Sequence, residues 1–137
     1  MWVHDEWLAI LAAATGTVDW LPQRLIGYRQ HGLNQIGVAV PSLRYKLGRV
    51  FESRGDRYTN LVERAAALAA RLDEIGAASE LLAAVGQKLE HQRRRAALPR
   101  FRPARVGPVL REARTGRYQK FSSQGGLDIV RDLLSRP

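Results

Sequence analysis

The strongest constraint on this chain is an apolar stripe: Tyr58, Leu61, Val62, Ala65, Leu68, Ala69, Leu72 and Ile75 recur at spacings of three and four until Gly76. A helical turn of 3.6 residues gathers such positions onto one side, which then needs an apolar partner. Leu81, Leu82, Val85 and Leu89 repeat the pattern between about Ala78 and Pro99, after a very short link. Two helices joined so tightly must fold back on each other as an antiparallel hairpin. Further helices are predicted over about Asp5–Ala14, Pro41–Ser53, Pro108–Thr115 and Leu127–Ser135, with Pro41 suited to a first helical position.

The segment after the first helix reads differently. Thr17–Leu21 and Leu25–Arg29 are short β-type runs, separated by the turn chemistry of Pro22-Gln23-Arg24. Two short strands are marginal alone in water, so they read as the end of a sheet whose remainder lies elsewhere. The expected fold is therefore mostly α: a hairpin-like β remnant near the N-terminus, residues 1–40, followed by a helical extension, residues 41–137. A chain of 137 residues supports one core. It has no cysteine, which excludes disulfides, a thiolate nucleophile and cysteine-ligated metals, and which suits a reducing compartment. The apolar run Leu8–Ala14 is too short to span a bilayer, and the acidic start His4-Asp5-Glu6 is unlike a signal peptide, so export is not expected.

Charge is concentrated. Residues 1–87 carry nine Lys/Arg against nine Asp/Glu, and residues 121–137 carry two against two. The entire net charge of +9 therefore lies in Lys88–Lys120, where eleven cations meet only Glu90 and Glu112. Such a block suits an anionic partner, nucleic acid or an acidic membrane surface; the plainer reading is a solvated helix face and loop.

Few residues carry the marks of chemistry. Asp5 sits where a helix N-terminus stabilises a carboxylate, as a cap or as a reactive group, and His4 and Trp7 flank it with an imidazole and an apolar anchor. Tyr28-Arg29-Gln30-His31-Gly32 closes a β-type run, and alternation places Arg29 and His31 on one face, as an anion-binding or metal-binding pair or as ordinary loop residues. His4, His31 and His91 lack zinc-type spacing. No dinucleotide, Walker or Gly-x-Ser-x-Gly pattern occurs, and Ser122-Ser123-Gln124-Gly125 reads as a polar turn.

Taken together, His4-Asp5-Glu6-Trp7-Leu8, Thr17-Val18-Asp19-Trp20-Leu21-Pro22 and Leu25-Ile26-Gly27-Tyr28-Arg29-Gln30-His31-Gly32-Leu33-Asn34-Gln35-Ile36-Gly37 resemble the C-terminal part of a family-two glycosyltransferase of GT-A fold. The nearest pattern is the bacterial rhamnosyltransferase-like group of cell-surface polysaccharide assembly, and Gly116–Phe121 and Asp128–Leu134 are similar to that group's tail. The resemblance implies inverting transfer of a sugar from a nucleotide-sugar donor to a hydroxyl of a sugar or lipid-linked acceptor. It implies that Asp5 is the catalytic base, that His4 and Trp7 neighbour the acceptor, and that His31 and Arg29 neighbour the donor diphosphate. A divalent cation, magnesium or manganese, belongs to the complete enzyme, with His31 as its candidate ligand here, and none is expected to bind tightly to this chain alone. Glu6 and Leu33 depart from the group's usual residues, an aromatic and an Asn.

The family's nucleotide-binding half and its Asp-x-Asp motif are absent from these 137 residues. The expectation is a C-terminal fragment, from a truncated or split reading frame or an internal start, and inactive without that half. The implied setting is cytoplasmic, peripheral at the inner face of the membrane, with Arg93, Arg94 and Arg95 in the docking segment. The alternative is a small basic helical protein that binds nucleic acid; only Phe101 and Tyr118 interleave aromatics with its cations, so nucleic acid is not the expected partner.

Overall fold

The structure is a computed structural model that describes residues 4–19, 21–23, 48 and 54–136. Helix α1 spans His4–Thr15, α2 Arg57–Glu74 and α3 Ser79–Ala96. A single 3-10 turn, Arg102–Arg105, leads into α4, Val106–Arg114, followed by the short α5, Arg117–Phe121, and α6, Gly126–Leu134. The five predicted helices that lie among the described residues form within three residues of their expected bounds. The turn at 102–105 and α5 are additions that the apolar pattern was too short to reveal.

The predicted hairpin of helices is α2 and α3. Its link works because Gly76 takes φ +64°, the left-handed conformation that costs an L-residue its Cβ clearance. Gly76 N–H then donates to Asp73 O at 3.0 Å and Ala77 N–H to Leu72 O at 2.9 Å, which satisfies carbonyls at the end of α2. Between the helices, Leu68, Leu72 and Val85 form a buried core, and α1 lays Trp7, Ile10, Leu11 and Ala14 against it. Burying a side chain as completely as Leu72, 1% exposed, contributes about 1.5–3 kcal/mol.

A second, smaller core joins Leu98, Val109 and Tyr118 and is flanked by Ile129 and Leu133 of α6. The rest of α6 is packed the opposite way from most helices. It buries Asp128, Arg131 and Asp132, while Leu127, Val130 and Leu134 are exposed.

Residues 17–19 and 21 form no strand and are exposed. The partner run Leu25–Arg29 lies outside the described residues, as do Trp20 and most of the Pro41–Ser53 helix, of which Gly48 is described and helical. Among the described residues no helix is long and apolar enough to cross a membrane.

The basic block needs correction as a wholly solvated face. Arg95 and Arg105 are internal, 2% and 0% exposed. Arg105 explains why the Pro/Arg loop is ordered: its guanidinium donates to Pro99 O at 2.6 Å, Arg100 O at 2.9 Å, Asp132 O at 3.2 Å and Ser135 O at 2.8 Å. It thus ties the loop to the carbonyl end of α6, where a cation also meets the negative end of the helix dipole. Arg54 N–H donates to Arg136 O at 3.0 Å, so the two ends of the helical unit 54–136 meet.

Candidate functional site

Asp5 lies in the first turn of α1, one residue inside the helix, and the reading of it as a helix cap gives way to this position. Its side chain is 94% exposed, and its neighbour His4, 3.5 Å away, is solvated as well. The two residues that follow turn inward instead. Glu6 forms an ion pair with Arg64 of α2, and Trp7 packs on the first core. Helical steps of 100° produce this division: the anchoring residues fix α1 to the hairpin while Asp5 stays exposed on the outer side. Arg29 and His31 lie outside the described residues. Among the described residues no three His, Cys, Asp or Glu side chains gather as a metal site.

The centre of the helical unit is a buried ionic network around Asp132. Arg95 grips its carboxylate with two donors, Nε to Oδ2 at 2.7 Å and Nη2 to Oδ1 at 3.1 Å. Tyr118 donates to Oδ2 at 2.7 Å and Tyr58 to Oδ1. The four lone-pair directions of the carboxylate are thereby filled by four donors from three other helices. Asp128 stands beside it, its Oδ1 3.6 Å from Arg95 and 3.8 Å from Arg57. Burial raises the pKa of Tyr58, to about 12, with the neighbouring Asp132 charge adding to it. Burial and then Asp132 push Tyr118 up as well. For Arg95 burial acts downward, yet the hydrogen bonds and charge of Asp132 outweigh it and the guanidinium is held firmly protonated.

A second chain of polar contacts runs through His91, which is fully buried. Its Nδ1 is 2.9 Å from Glu112 Oε1, and because a carboxylate accepts only, the proton is assigned to Nδ1. Nε2 then accepts from the Ser122 hydroxyl at 3.0 Å, and Ser122 Oγ accepts from Arg95 Nη1 at 3.2 Å. Burial lowers the His91 pKa, so the imidazole stays neutral. Burial acts upward on Glu112, but His91, Arg94 and Arg117 hold its carboxyl below the usual range.

Serine, imidazole and carboxylate thus stand in the order that hydroxyl nucleophiles use. Here both functions of the hydroxyl are spent internally, on His91 and Arg95, and Glu112 is shared with Arg94 and Arg117. The contacts tie α3, α4 and the turn after α5 together. Residues 122–125 form the turn that their composition predicted.

Next to this network a cavity of about 660 Å³ opens between Glu6 of α1, Arg57, Asn60 and Arg64 of α2, Lys88, Gln92 and Arg95 of α3, and Lys120 to Ser123. Sequence reasoning missed Gln92 as a member of a site and read Arg95 only as part of an exposed docking segment, whereas it is internal. The available signal was phase: Leu81, Val85, Lys88, Gln92 and Arg95 continue one helical stripe in steps of three and four, so the polar residues at its end share the inward direction of the apolar ones. No family model, curated protein or solved structure matches the chain.

Proposed function

We propose that this chain is the C-terminal part of an inverting, GT-A, family-two glycosyltransferase of the rhamnosyltransferase-like kind, in which Asp5 is the catalytic base. One observation carries the reading beyond the motifs: α1 is fixed to the helical hairpin by Trp7, Ile10, Leu11 and Ala14, while the Asp5 carboxylate is 94% exposed with only the solvated His4 imidazole beside it among the described residues. A base needs this combination of a rigid support and an accessible carboxylate within reach of a bound hydroxyl. A carboxylate committed to an internal arginine, as Asp132 is, could not accept a proton without breaking its pair.

In the transfer, Asp5 Oδ accepts the proton of the acceptor hydroxyl as its oxygen attacks the anomeric carbon, and the nucleoside diphosphate departs with the bonding electron pair. The divalent cation of the family neutralises the departing diphosphate when bound. Its candidate ligand here, His31, lies outside the described residues. In this reading the segment 17–37 belongs to the edge of the sheet of the catalytic half, with His31 and Arg29 near the diphosphate. The enzyme works in the cytoplasm at the inner face of the membrane, where the exposed cations of Lys88–Lys120, the internal Arg95 and Arg105 excepted, face anionic lipid.

The test begins with the genomic DNA 5′ of the codon for Met1, which should encode nucleotide-binding βαβ units and an Asp-x-Asp motif in one of its frames. The chain joined to that half should release nucleoside diphosphate from a nucleotide sugar in the presence of acceptor. Asp5→Asn should lower kcat by roughly 10²–10⁴-fold with the fold intact. An upstream region without such a motif, or full turnover by Asp5→Asn, would refute the reading.

A further inference from the structure

The cavity beside the Asp132 network has a lining that the chemistry of Asp5 does not use. Five cationic side chains border it: Arg57, Arg64, Lys88, Arg95 and Lys120. Three of them answer carboxylates, since Arg64 pairs with Glu6, Arg95 grips Asp132 and Arg57 lies 3.8 Å from Asp128. Lys88 and Lys120 answer none among the described residues; Lys120 Nζ rests 5.1 Å from the Phe121 ring centre. Against the three carboxylates that the arginines answer, the five cations leave two positive charges over, those of Lys88 and Lys120.

Gln92 supplies an independent observation. It lines the same cavity and is 3% exposed, and its Oε1 is buried without a hydrogen-bond partner. An amide oxygen withdrawn from water is costly until a donor meets it. Two unanswered ammonium groups call for an anion, and the unanswered amide calls for an O–H or N–H. A phosphate bearing a polyhydroxylated group satisfies both at once. The size agrees, since about 660 Å³ falls within the range of small-molecule sites. The carboxylate of Glu6 at the α1 wall repels a phosphate and favours neutral hydroxyl groups at that end.

We infer that this cavity binds a phosphorylated sugar, with its phosphate between Lys88 and Lys120 and a sugar hydroxyl donating to Gln92 Oε1. The inference goes beyond the transferase reading and rests on the cavity alone, because Glu6 lines the wall whereas its sequence neighbour Asp5 faces the outer side of α1 and does not line the cavity.

The 137-residue chain, labelled with ¹⁵N, is titrated with glucose 1-phosphate, galactose 1-phosphate, N-acetylglucosamine 1-phosphate, inorganic phosphate and glucose, and its amide shifts are followed by NMR. At least one sugar phosphate should give saturable shifts at the Gln92 side-chain amide and at the Lys88–Gln92 backbone. It should bind about tenfold more tightly than inorganic phosphate, and glucose should not saturate. The double variant Lys88→Gln with Lys120→Gln should weaken the sugar phosphate by about tenfold or more, and Lys88→Arg with Lys120→Arg should restore it. Gln92→Leu should weaken the sugar phosphate and leave inorganic phosphate unchanged.

Absence of saturable shifts with all three sugar phosphates, or unchanged affinity in the Lys88→Gln, Lys120→Gln variant, would overturn the inference. So would shifts at these residues produced only by a short DNA duplex or by anionic vesicles, which would assign the cations to a polymer or a lipid surface. Asp5→Asn should leave every shift in place, so a failed titration and a failed transferase assay are separate results.

Discussion

Replacing Asp132 by asparagine tests the ionic core with almost no change of shape. Asp132 is fully buried, and its Oδ2 receives Arg95 Nε and Tyr118 OH, each at 2.7 Å, while Oδ1 receives Tyr58 OH and Arg95 Nη2. An amide has one accepting end and one donating end. Whichever way the substituted amide turned, its NH₂ would meet two donors, and the Arg95 guanidinium, 2% exposed, would lose its full counter-charge. Only Asp128 would remain in range, at 3.6 Å. Breaking one side of a buried pair costs about 3–5 kcal/mol, a large fraction of the roughly 5–15 kcal/mol by which domains are stable. For a chain of this length that lowers Tm by roughly 10–20 °C.

Urea unfolding followed by circular dichroism in the far ultraviolet measures the loss, and a cycle with Arg95→Met identifies its source. Because each single variant strands a charge, the double variant should cost at least about 1 kcal/mol less than the sum of the two. Asp132→Asn within about 0.5 kcal/mol of the parent, or strict additivity in the cycle, would refute the argument that this carboxylate organises the unit.

Two other outcomes follow from the same structure. Stability should fall as pH drops from about 6.5, because the unfolded chain then protonates His91 while burial keeps the folded imidazole neutral, and again below about 4.5 as the depressed Glu112 carboxyl is forced to protonate. At the alkaline end it should fall between 10 and about 12, where the unfolded tyrosine ionises before the buried Tyr58; denaturant midpoints across pH read all three, and His91→Gln should flatten the first. Gly76→Ala should cost about 1 kcal/mol, since φ is +64° there and nothing crowds the added carbon, whereas Gly86→Ala, inside α3 with equally open surroundings, should gain about 0.5–1 kcal/mol. Thermal melts of the two variants should therefore move in opposite directions.

What could be read from the sequence is local. The stripe from Tyr58 to Ile75, its echo from Leu81 to Leu89 and the glycine between them sufficed to place α2 and α3 and to make them antiparallel. The contacts of Asp132 could not be read, because Tyr58 and Arg95 stand 74 and 37 residues from it and no local pattern links them. Arginines inside a basic run look solvated because most are; Arg93 and Arg95 are two helical steps apart, and one faces water while the other faces Asp132. Of the expected site, His4, Asp5 and Trp7 are described, with the last turned into the core, whereas Arg29 and His31 lie outside the described residues. The sugar-phosphate cavity left a fainter trace, a stripe whose apolar members give way to Lys88, Gln92 and Arg95 without a change of phase.

Helix α6 has two sides that a folding chain could bury, the one it does bury and the one that carries Leu127, Val130 and Leu134. Oily contact alone would favour the second setting, and it tolerates sliding and rotation because it has no direction. The doubly gripped carboxylate accepts one angle only, and any other roll of the helix would trap Asp128 and Asp132 without their arginines or leave them in water with Arg95 stranded. The charges thus act as a key that selects among collapsed arrangements, and docking of α6 should be the step at which this chain distinguishes its native state from near misses.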